Sequence, residues 1–166
     1  MTYLFPKEQV AQYLLDNLSN DTPIKIQKGL YFLWAYYSAT YGNIDSSNNA
    51  QSEFDSMDPY PEFLFEPNFQ AWMYGPVDPD IYHQYKSEEN PQFSETKINF
   101  DSTNKKEIQK FMDNFIRQIN EVNDFGLVSR SHQDSAWSSV YKEGIRDIKI
   151  DPNSIKENYK DYVSAK

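Results

Sequence analysis

The segment 30–37 constrains the fold most, because it is almost entirely apolar or aromatic and lies inside a predicted helix. Thr22 is a suitable N-cap, Pro23 suits the first helical position, and Gly42 provides a left-handed stop. A helix that is apolar on nearly all sides has to be surrounded by other elements. We therefore predict that this helix is the centre of the core, and that another backbone passes close to it at Gly29.

Helical spacing of apolar residues recurs along the rest of the chain. Long helices are predicted from Pro6 to about Asn20, from Asp101 or Ser102 to a stop at Gly126, and from Pro152 to the end of the chain. Shorter helices are predicted at 67–72, after Asp78, at 127–137 and at 135–142. Short extended segments are predicted at 63–66, 96–100 and 145–150. The pattern predicts a mainly α fold, a compact single-domain helical bundle over residues 1–166 with about six to seven helices and at most short β segments.

Residues 43–62 are predicted to form a long irregular loop, because Asn, Ser, Asp and Pro dominate there. Phe54, Met57 and Tyr60 are the residues able to pin parts of it to the core. Irregular segments of this length are uncommon in compact domains and are often functional. Both a solvated insertion and a functional loop stay open.

The composition excludes several classes of site. The chain has no cysteine, which rules out disulfides, thiolate metal sites and a cysteine nucleophile, and two histidines are too few for a His-rich metal site. The formal net charge of -9 argues against direct nucleic-acid binding and suits a basic protein partner. We see neither a signal peptide nor a membrane-spanning stretch, so we expect a cytoplasmic protein without cofactor, metal or membrane contact.

Ser131, His132 and Asp134 resemble the residue types of a catalytic triad. A triad requires these groups to meet in space, and residues adjacent in sequence seldom do so. We therefore interpret Ser131 as a helix cap and His132 as a structural residue, and we keep a hydrolase that uses His132 and Asp134 as the weaker alternative.

The remaining polar candidates are interpreted as surface groups. His83 and Asp80 lie three residues apart on a predicted helix and form either a surface pair or two ligands of an incomplete metal site. Glu88 and Glu89 fall in a polar loop and are interpreted as solvated rather than catalytic. The lysines of the second and fifth predicted helices are interpreted as solvated faces: Lys25, Lys28, Lys105, Lys106 and Lys110.

The segment 69–77 combines aromatic residues with a Gly-Pro break. Trp72 and Val77 are predicted to be buried, and Gly75 with Pro76 is predicted to turn one helix away from the next. This segment is either a structural corner or a binding groove floored by Trp72 and Tyr74, because aromatic side chains are favoured as interface anchors.

The order of three motifs resembles a known family. The first is the helix 25–32 with Lys-Ile-Gln-Lys-Gly-Leu-Tyr-Phe, the second is the Ala-Trp…Gly-Pro-Val…Ile-Tyr corner at 71–82, and the third is the Ser-His…Trp segment at 131–137. Together they resemble the Panacea domain of SocA-like antitoxins, also called GepA-like phage-associated proteins. The resemblance implies a mostly helical domain from bacteria, their phages or mobile elements, and members are not known as enzymes.

The resemblance leads to two hypotheses from different classes of binding protein. The first is a non-enzymatic antitoxin that neutralises a neighbouring toxin, either by direct binding or as a proteolytic adaptor to a Clp-type protease. The second is a phage-encoded inhibitor of a host defence or regulatory protein, including an acidic mimic of nucleic acid. The positions expected to bind the partner are Lys28, Tyr31, Trp72, Tyr74, Gly75, Pro76, Val77, Tyr82, His132 and Trp137.

Overall fold

The computed structural model describes residues 3–42 and 60–164. Most of the predicted loop at 43–62, with Phe54 and Met57, therefore lies outside the described residues. Within the described ranges the helices are α1 (Lys7–Asn17), α2 (Pro23–Thr40), α3 (Pro79–Ser87), α4 (Thr103–Asn120), α5 (Asp124–His132), α6 (Ser135–Ser138) and α7 (Pro152–Ser164). Strands β1 (Gln70–Trp72) and β2 (Gly75–Val77) form an antiparallel hairpin before α3. The fold is mainly α, as predicted; that it is one domain over the whole chain stays a prediction.

Helix α2 is the centre of the fold, as its composition predicts. The Thr22 hydroxyl accepts a hydrogen bond from the Lys25 amide at 3.1 Å, which confirms the N-cap. All but four of its 18 residues are buried. Helices α1, α3, α4, α5 and α7 and strand β2 all pack against it. Because α2 is covered on so many sides, even Lys25 and Lys28 are buried.

The two glycines at α2 have roles different from those predicted. A Cβ on Gly29 would lie 2.8 Å from the Leu14 side chain, so a side chain of α1 is closest there and not another backbone. A Cβ on Gly42 would lie 2.0 Å from the Glu62 carbonyl oxygen, so the close backbone approach occurs at Gly42. Gly42 does not have a positive φ, and the predicted left-handed stop is wrong.

Several predicted boundaries are wrong by a few residues. Helix α1 ends at Asn17, because Leu18 leaves the helix with an extended backbone and is buried. Gly126 lies inside α5 and does not stop the preceding helix, since Asn123 caps α5 by accepting the Gly126 amide at 2.7 Å. Helix α6 is a single turn and not the predicted helix at 135–142. No strand is described at 96–100, where the Phe100 ring packs instead on Phe5.

The largest correction concerns the segment 67–77, predicted as a helix and a break. It forms the β1–β2 hairpin instead, in which Trp72 is paired with Gly75 across a tip made of Met73 and Tyr74. Gly75 has a φ of 107°, a left-handed value that glycine adopts at little cost and that closes this tight turn. The amide of Ala71 donates to the Ile148 carbonyl at 2.8 Å, so the segment 145–150 lies beside β1.

Candidate functional site

The hairpin forms one wall of a pocket of about 410 Å³. That volume lies within the range of small-molecule and side-chain binding cavities. Its lining comes from α2, the hairpin, α3 and the segment after α6: Pro23, Ile24, Gln27, Lys28, Trp72, Met73, Tyr74, Val77, Tyr82, Lys86, Tyr141, Gly144, Ile145 and Arg146. Five of the ten positions expected to bind a partner line this pocket: Lys28, Trp72, Tyr74, Val77 and Tyr82.

Lys28 contributes a buried cation to the pocket. Its side chain is 1% exposed, and Lys25 is also buried, so the interpretation of these two residues as a solvated face is wrong. The cause is the packing of several elements around α2. The Lys28 ammonium donates to the Pro76 carbonyl oxygen at 2.8 Å. Burial lowers the pKa of Lys28 to about 7, because an ammonium group loses its hydration inside the protein.

The walls and mouth of the pocket carry further aromatic and cationic groups. The Trp72 and Tyr82 rings meet edge to face with centroids 4.8 Å apart. The Arg146 guanidinium lies 4.4 Å from the Trp72 ring centroid, and the Lys86 ammonium lies 5.7 Å from that of Tyr82. The described lining contains no Asp or Glu, although the chain has 25 acidic residues against 16 basic ones. The pocket is therefore cationic in a strongly acidic protein.

Exposed apolar side chains lie at the pocket and next to it. Met73 and Tyr74, at the tip of the hairpin, are 56% and 49% exposed, and Ile145 is 44% exposed. Phe125 is 63% exposed, and its ring meets that of Tyr74 with centroids 6.0 Å apart. We call these four residues, Met73, Tyr74, Phe125 and Ile145, the hairpin patch. Such grouped apolar exposure is typical of an interaction surface.

His132 and Trp137 lie behind the hairpin and hold it in place. Their rings stack with centroids 4.1 Å apart. The Trp137 indole donates to the Trp72 carbonyl at 2.8 Å, and His132 Nε2 lies 3.0 Å from the Met73 carbonyl oxygen. Partial burial lowers the pKa of His132, which favours its neutral form. These two residues therefore position the walls of the pocket.

Ser131 supports the same turn from α5. A Cβ on Gly75 would lie 2.3 Å from Ser131 Oγ, so glycine is required there by space as well as by φ. The Ser131 hydroxyl donates to the Val128 carbonyl at 2.8 Å within α5. The prediction that Ser131 caps a helix is therefore wrong, because Ser131 is the second-last residue of α5 and Asn123 is the residue that caps this helix.

Asp134 is the centre of a buried polar cluster that the sequence did not predict. Its carboxylate accepts hydrogen bonds from the hydroxyls of Tyr31 at 2.6 Å, Tyr159 at 2.6 Å and Tyr162 at 2.8 Å, and from Arg130 at 3.1 Å. Burial, with the nearby carboxylate charge, raises the pKa of Tyr31 and Tyr159 well above 10. In the described part of the chain, the hydrogen bonds of Asp134 thus lead to tyrosines and an arginine, and not to His132.

The other polar candidates from the sequence lie at the surface of the protein. Asp80 accepts a hydrogen bond from the Lys7 ammonium at 3.0 Å, and Glu88 and Glu89 are exposed. Within residues 3–42 and 60–164, no group of three or more His, Cys, Asp or Glu residues is arranged to hold a metal ion. None of the helices in these ranges is long and apolar enough to cross a membrane.

The comparison with protein families decides which group the chain belongs to. The family model described as antitoxin SocA-like, Panacea domain, matches residues 51–138, just over half of the chain. The chain is a SocA-like antitoxin family member. The matched range contains the hairpin and α3 to α6, whereas α2 with Lys28 and α7 with Tyr159 lie outside it. No curated protein and no solved structure matches the chain.

Within this Panacea domain protein, the ten expected positions differ in accessibility. Tyr74 is exposed and Tyr82 and His132 are half-buried. The others are buried: Lys28, Tyr31, Trp72, Gly75, Pro76, Val77 and Trp137. A partner contacts exposed side chains directly, whereas seven of these ten positions are buried. Most of them therefore shape the hairpin and the pocket. The sequence does not mark Met73, Phe125 and Ile145 as candidates for partner binding, because what distinguishes them is their solvent exposure in the folded chain.

Proposed function

We propose that the chain is an antitoxin that neutralises a toxin by binding it directly through the hairpin patch. The exposure of Met73, Tyr74 and Phe125 around the mouth of a pocket supports this proposal. Exposed aromatic residues beside a concave site are typical anchors of protein interfaces. The hairpin is anchored by the Trp137 indole at the Trp72 carbonyl and by His132 at the Met73 carbonyl, so less ordering of its tip is required when a partner binds.

The charge of the chain indicates the sign of the partner. A net charge of -9 attracts a basic protein and accelerates the encounter of the two molecules, an effect that added salt reduces. A basic toxin therefore meets this chain with a long-range attraction. Binding at the hairpin patch then adds apolar contacts at short range.

The proposal is tested by co-expression with the adjacent open reading frame. We expect that the neighbouring product is toxic alone and harmless together with this chain. Tyr74→Ser should weaken binding of the purified toxin by about tenfold or more, since Tyr74 is an exposed anchor. Tyr3→Ser is the matched control, because Tyr3 is 47% exposed but lies outside the hairpin patch.

Two results contradict this proposal. One is full neutralisation by Tyr74→Ser together with Phe125→Ser. The other is a harmless neighbouring product combined with capture of a host defence protein, which favours the inhibitor hypothesis.

Direct binding and delivery to a protease make different predictions for the toxin. We propose that binding alone is sufficient for neutralisation, because a toxin bound at the hairpin patch has its own contact surface covered. The half-life of the toxin in cells with and without the Clp-type protease separates the two. An unchanged half-life and retained neutralisation support direct binding, whereas neutralisation that disappears without the protease shows that the chain is an adaptor.

A further inference from the structure

Lys28 has fewer hydrogen-bond acceptors than a buried ammonium group can use. The group has three N–H donors, and the described residues provide one acceptor, the Pro76 carbonyl oxygen at 2.8 Å. A buried charge without a counterion is costly to maintain. Lys28 lines the pocket, so an anion that enters the pocket would supply the missing acceptors.

The other charged groups of the pocket also favour an anion. Arg146 and Lys86 lie at aromatic rings of its wall, and the described lining has no carboxylate that would compete. Trp72, Val77 and Tyr141 provide apolar walls from which water is excluded when the pocket is filled. A charge-assisted hydrogen bond is stronger in such surroundings than in water.

Resting on the proposed function, we propose that the pocket binds the side-chain carboxylate of an Asp or Glu in the partner's contact segment. That carboxylate accepts hydrogen bonds from the Lys28 ammonium and lies between Lys86 and Arg146. Apolar residues on either side of it in the partner contact the hairpin patch. The chemistry required of the partner is therefore a basic surface with one acidic residue flanked by apolar ones.

The surroundings of the pocket favour an acidic side chain over a chain end or a small anion. Met73 and Tyr74 on the hairpin and Ile145 on the segment after α6 are exposed at the mouth, so a peptide that continues in both directions has apolar contacts in both segments. A free small anion is repelled by the net charge of -9, whereas a basic protein that carries one carboxylate is attracted.

Binding of a carboxylate should depend on pH through Lys28. Because the pKa of Lys28 is about 7, an anion binds best when this group is protonated, and its binding draws in a proton near neutral pH. The titratable and charged groups around Lys28 are His132 of α5, which interacts with it electrostatically, and the groups that line the same pocket: Lys86, Arg146, Tyr74, Tyr82 and Tyr141. Partial burial lowers the pKa of His132, which also interacts electrostatically with Lys28, so His132→Gln identifies its share of the pH dependence.

Three short peptides test the proposal with the purified chain. They are acetyl-Leu-Glu-Tyr-amide, acetyl-Leu-Gln-Tyr-amide, and acetyl-Leu-Gln-Tyr with a free terminal carboxylate. Binding is followed by NMR through the Trp72 indole signal, which reports on the pocket wall. We expect the Glu peptide to bind about tenfold or more tightly than the Gln amide at pH 6.5, and its affinity to fall as the pH rises to 8.5.

Variants of the chain connect this binding to Lys28. Lys28→Met should weaken binding of the Glu peptide by about tenfold or more and remove the part of its pH dependence that comes from Lys28. Lys110→Met is the matched control, because Lys110 is 79% exposed on α4 and away from the pocket, and it should leave the affinity unchanged. Arg146→Gln, at the mouth, should weaken binding by about threefold and provides a second variant if Lys28→Met does not fold.

The results of the peptide and variant experiments distinguish the carboxylate site from the proposed antitoxin function. Equal binding of the Glu and Gln amides, tighter binding of the terminal carboxylate than of the Glu peptide, or unchanged binding by Lys28→Met and Arg146→Gln overturns the carboxylate site. Such a result, together with neutralisation lost in Tyr74→Ser, leaves the hairpin patch as the antitoxin surface. Glu-specific peptide binding without any toxic neighbour contradicts the proposed function alone.

Discussion

The two buried ionisable groups Asp134 and Lys28 differ in how completely they are paired. Asp134 is fully buried and accepts hydrogen bonds from three tyrosine hydroxyls and from Arg130. Lys28 is equally buried and donates to one backbone carbonyl among the described residues. The carboxylate is satisfied within the protein, whereas the ammonium faces an open pocket.

This difference separates a group that stabilises the fold from one available for a ligand. A buried charge with all its hydrogen bonds made joins the elements that provide its partners, here α2, α5 and α7. A buried charge with few partners costs stability, and it recovers that free energy when a ligand of opposite charge arrives. The following predictions, from the largest expected effect to the smallest, test this distinction.

Removal of the Asp134 carboxylate should have the largest effect on stability. Asp134→Ala leaves the buried hydroxyls of Tyr31 and Tyr159, the half-buried hydroxyl of Tyr162 and the Arg130 guanidinium without their acceptor. It should lower the free energy of unfolding by about 3–5 kcal/mol. Chemical denaturation followed by circular dichroism measures this change. Asp161→Ala, the same substitution at an exposed position of α7, should change it by about 0.5 kcal/mol or less. Similar values for the two variants would show that the cluster does not stabilise the fold.

The pH dependence of stability should report on Lys28. Its pKa is about 7 in the folded chain, whereas an unfolded lysine titrates near 10.4. Between these values the unfolded chain binds the extra proton, so the free energy of unfolding should rise by about 2–4 kcal/mol from pH 7 to pH 10. The buried tyrosines have raised pKa values, so they reduce stability only above pH 10. Denaturation of Lys28→Met should show no such rise; an equal rise in both proteins contradicts the prediction.

Loss of one donor to Asp134 should have a smaller effect than loss of the acceptor. Tyr159→Phe keeps the ring among its neighbours and leaves three donors, so it should lower the free energy of unfolding by about 1 kcal/mol. Thermal denaturation of this variant beside Tyr141→Phe, whose ring lines the pocket, provides the comparison. A loss above about 3 kcal/mol would show that the four donors act as one cooperative unit.

Substitution in the hairpin patch should change stability least. Tyr74→Ser removes an exposed ring, so the free energy of unfolding should change by about 0.5 kcal/mol or less, while toxin binding is weakened. Measuring stability and binding on the same sample separates the two effects. A strong loss of stability would mean that Tyr74 supports the fold rather than a partner.

The sequence predicted the elements whose signals are local. The cap at Thr22 is confirmed. The predicted helix starts after Asp78 and Ser102 are also confirmed, since Asp78 accepts the Ile81 amide at 3.0 Å and Ser102 accepts the Lys105 amide at 3.1 Å. The burial of Trp72 and Val77 is also confirmed. Composition and spacing within a few residues determine these features, so no knowledge of the tertiary structure is needed.

The sequence did not predict features that depend on distant contacts. The sequence predicts a helix and a break in place of the hairpin, because the short strands show no alternation and because the pairing of Ala71 with Ile148 joins residues far apart in the chain. Lys28 was interpreted as solvated because a lysine in an isolated helix prefers water. The Asp134 cluster joins residues from three helices and leaves no pattern along the sequence.

Measurement of the pKa of the Lys28 ammonium tests most directly whether the pocket receives a carboxylate. NMR of the chain with isotope-labelled lysine measures it in the free protein and with saturating acetyl-Leu-Glu-Tyr-amide. We predict a value near 7 in the free protein, because of burial without a counterion, and a clear rise when the peptide is bound. A value near 10 in the free protein, or no change on saturation with the peptide, would contradict the proposal that this pocket receives a carboxylate.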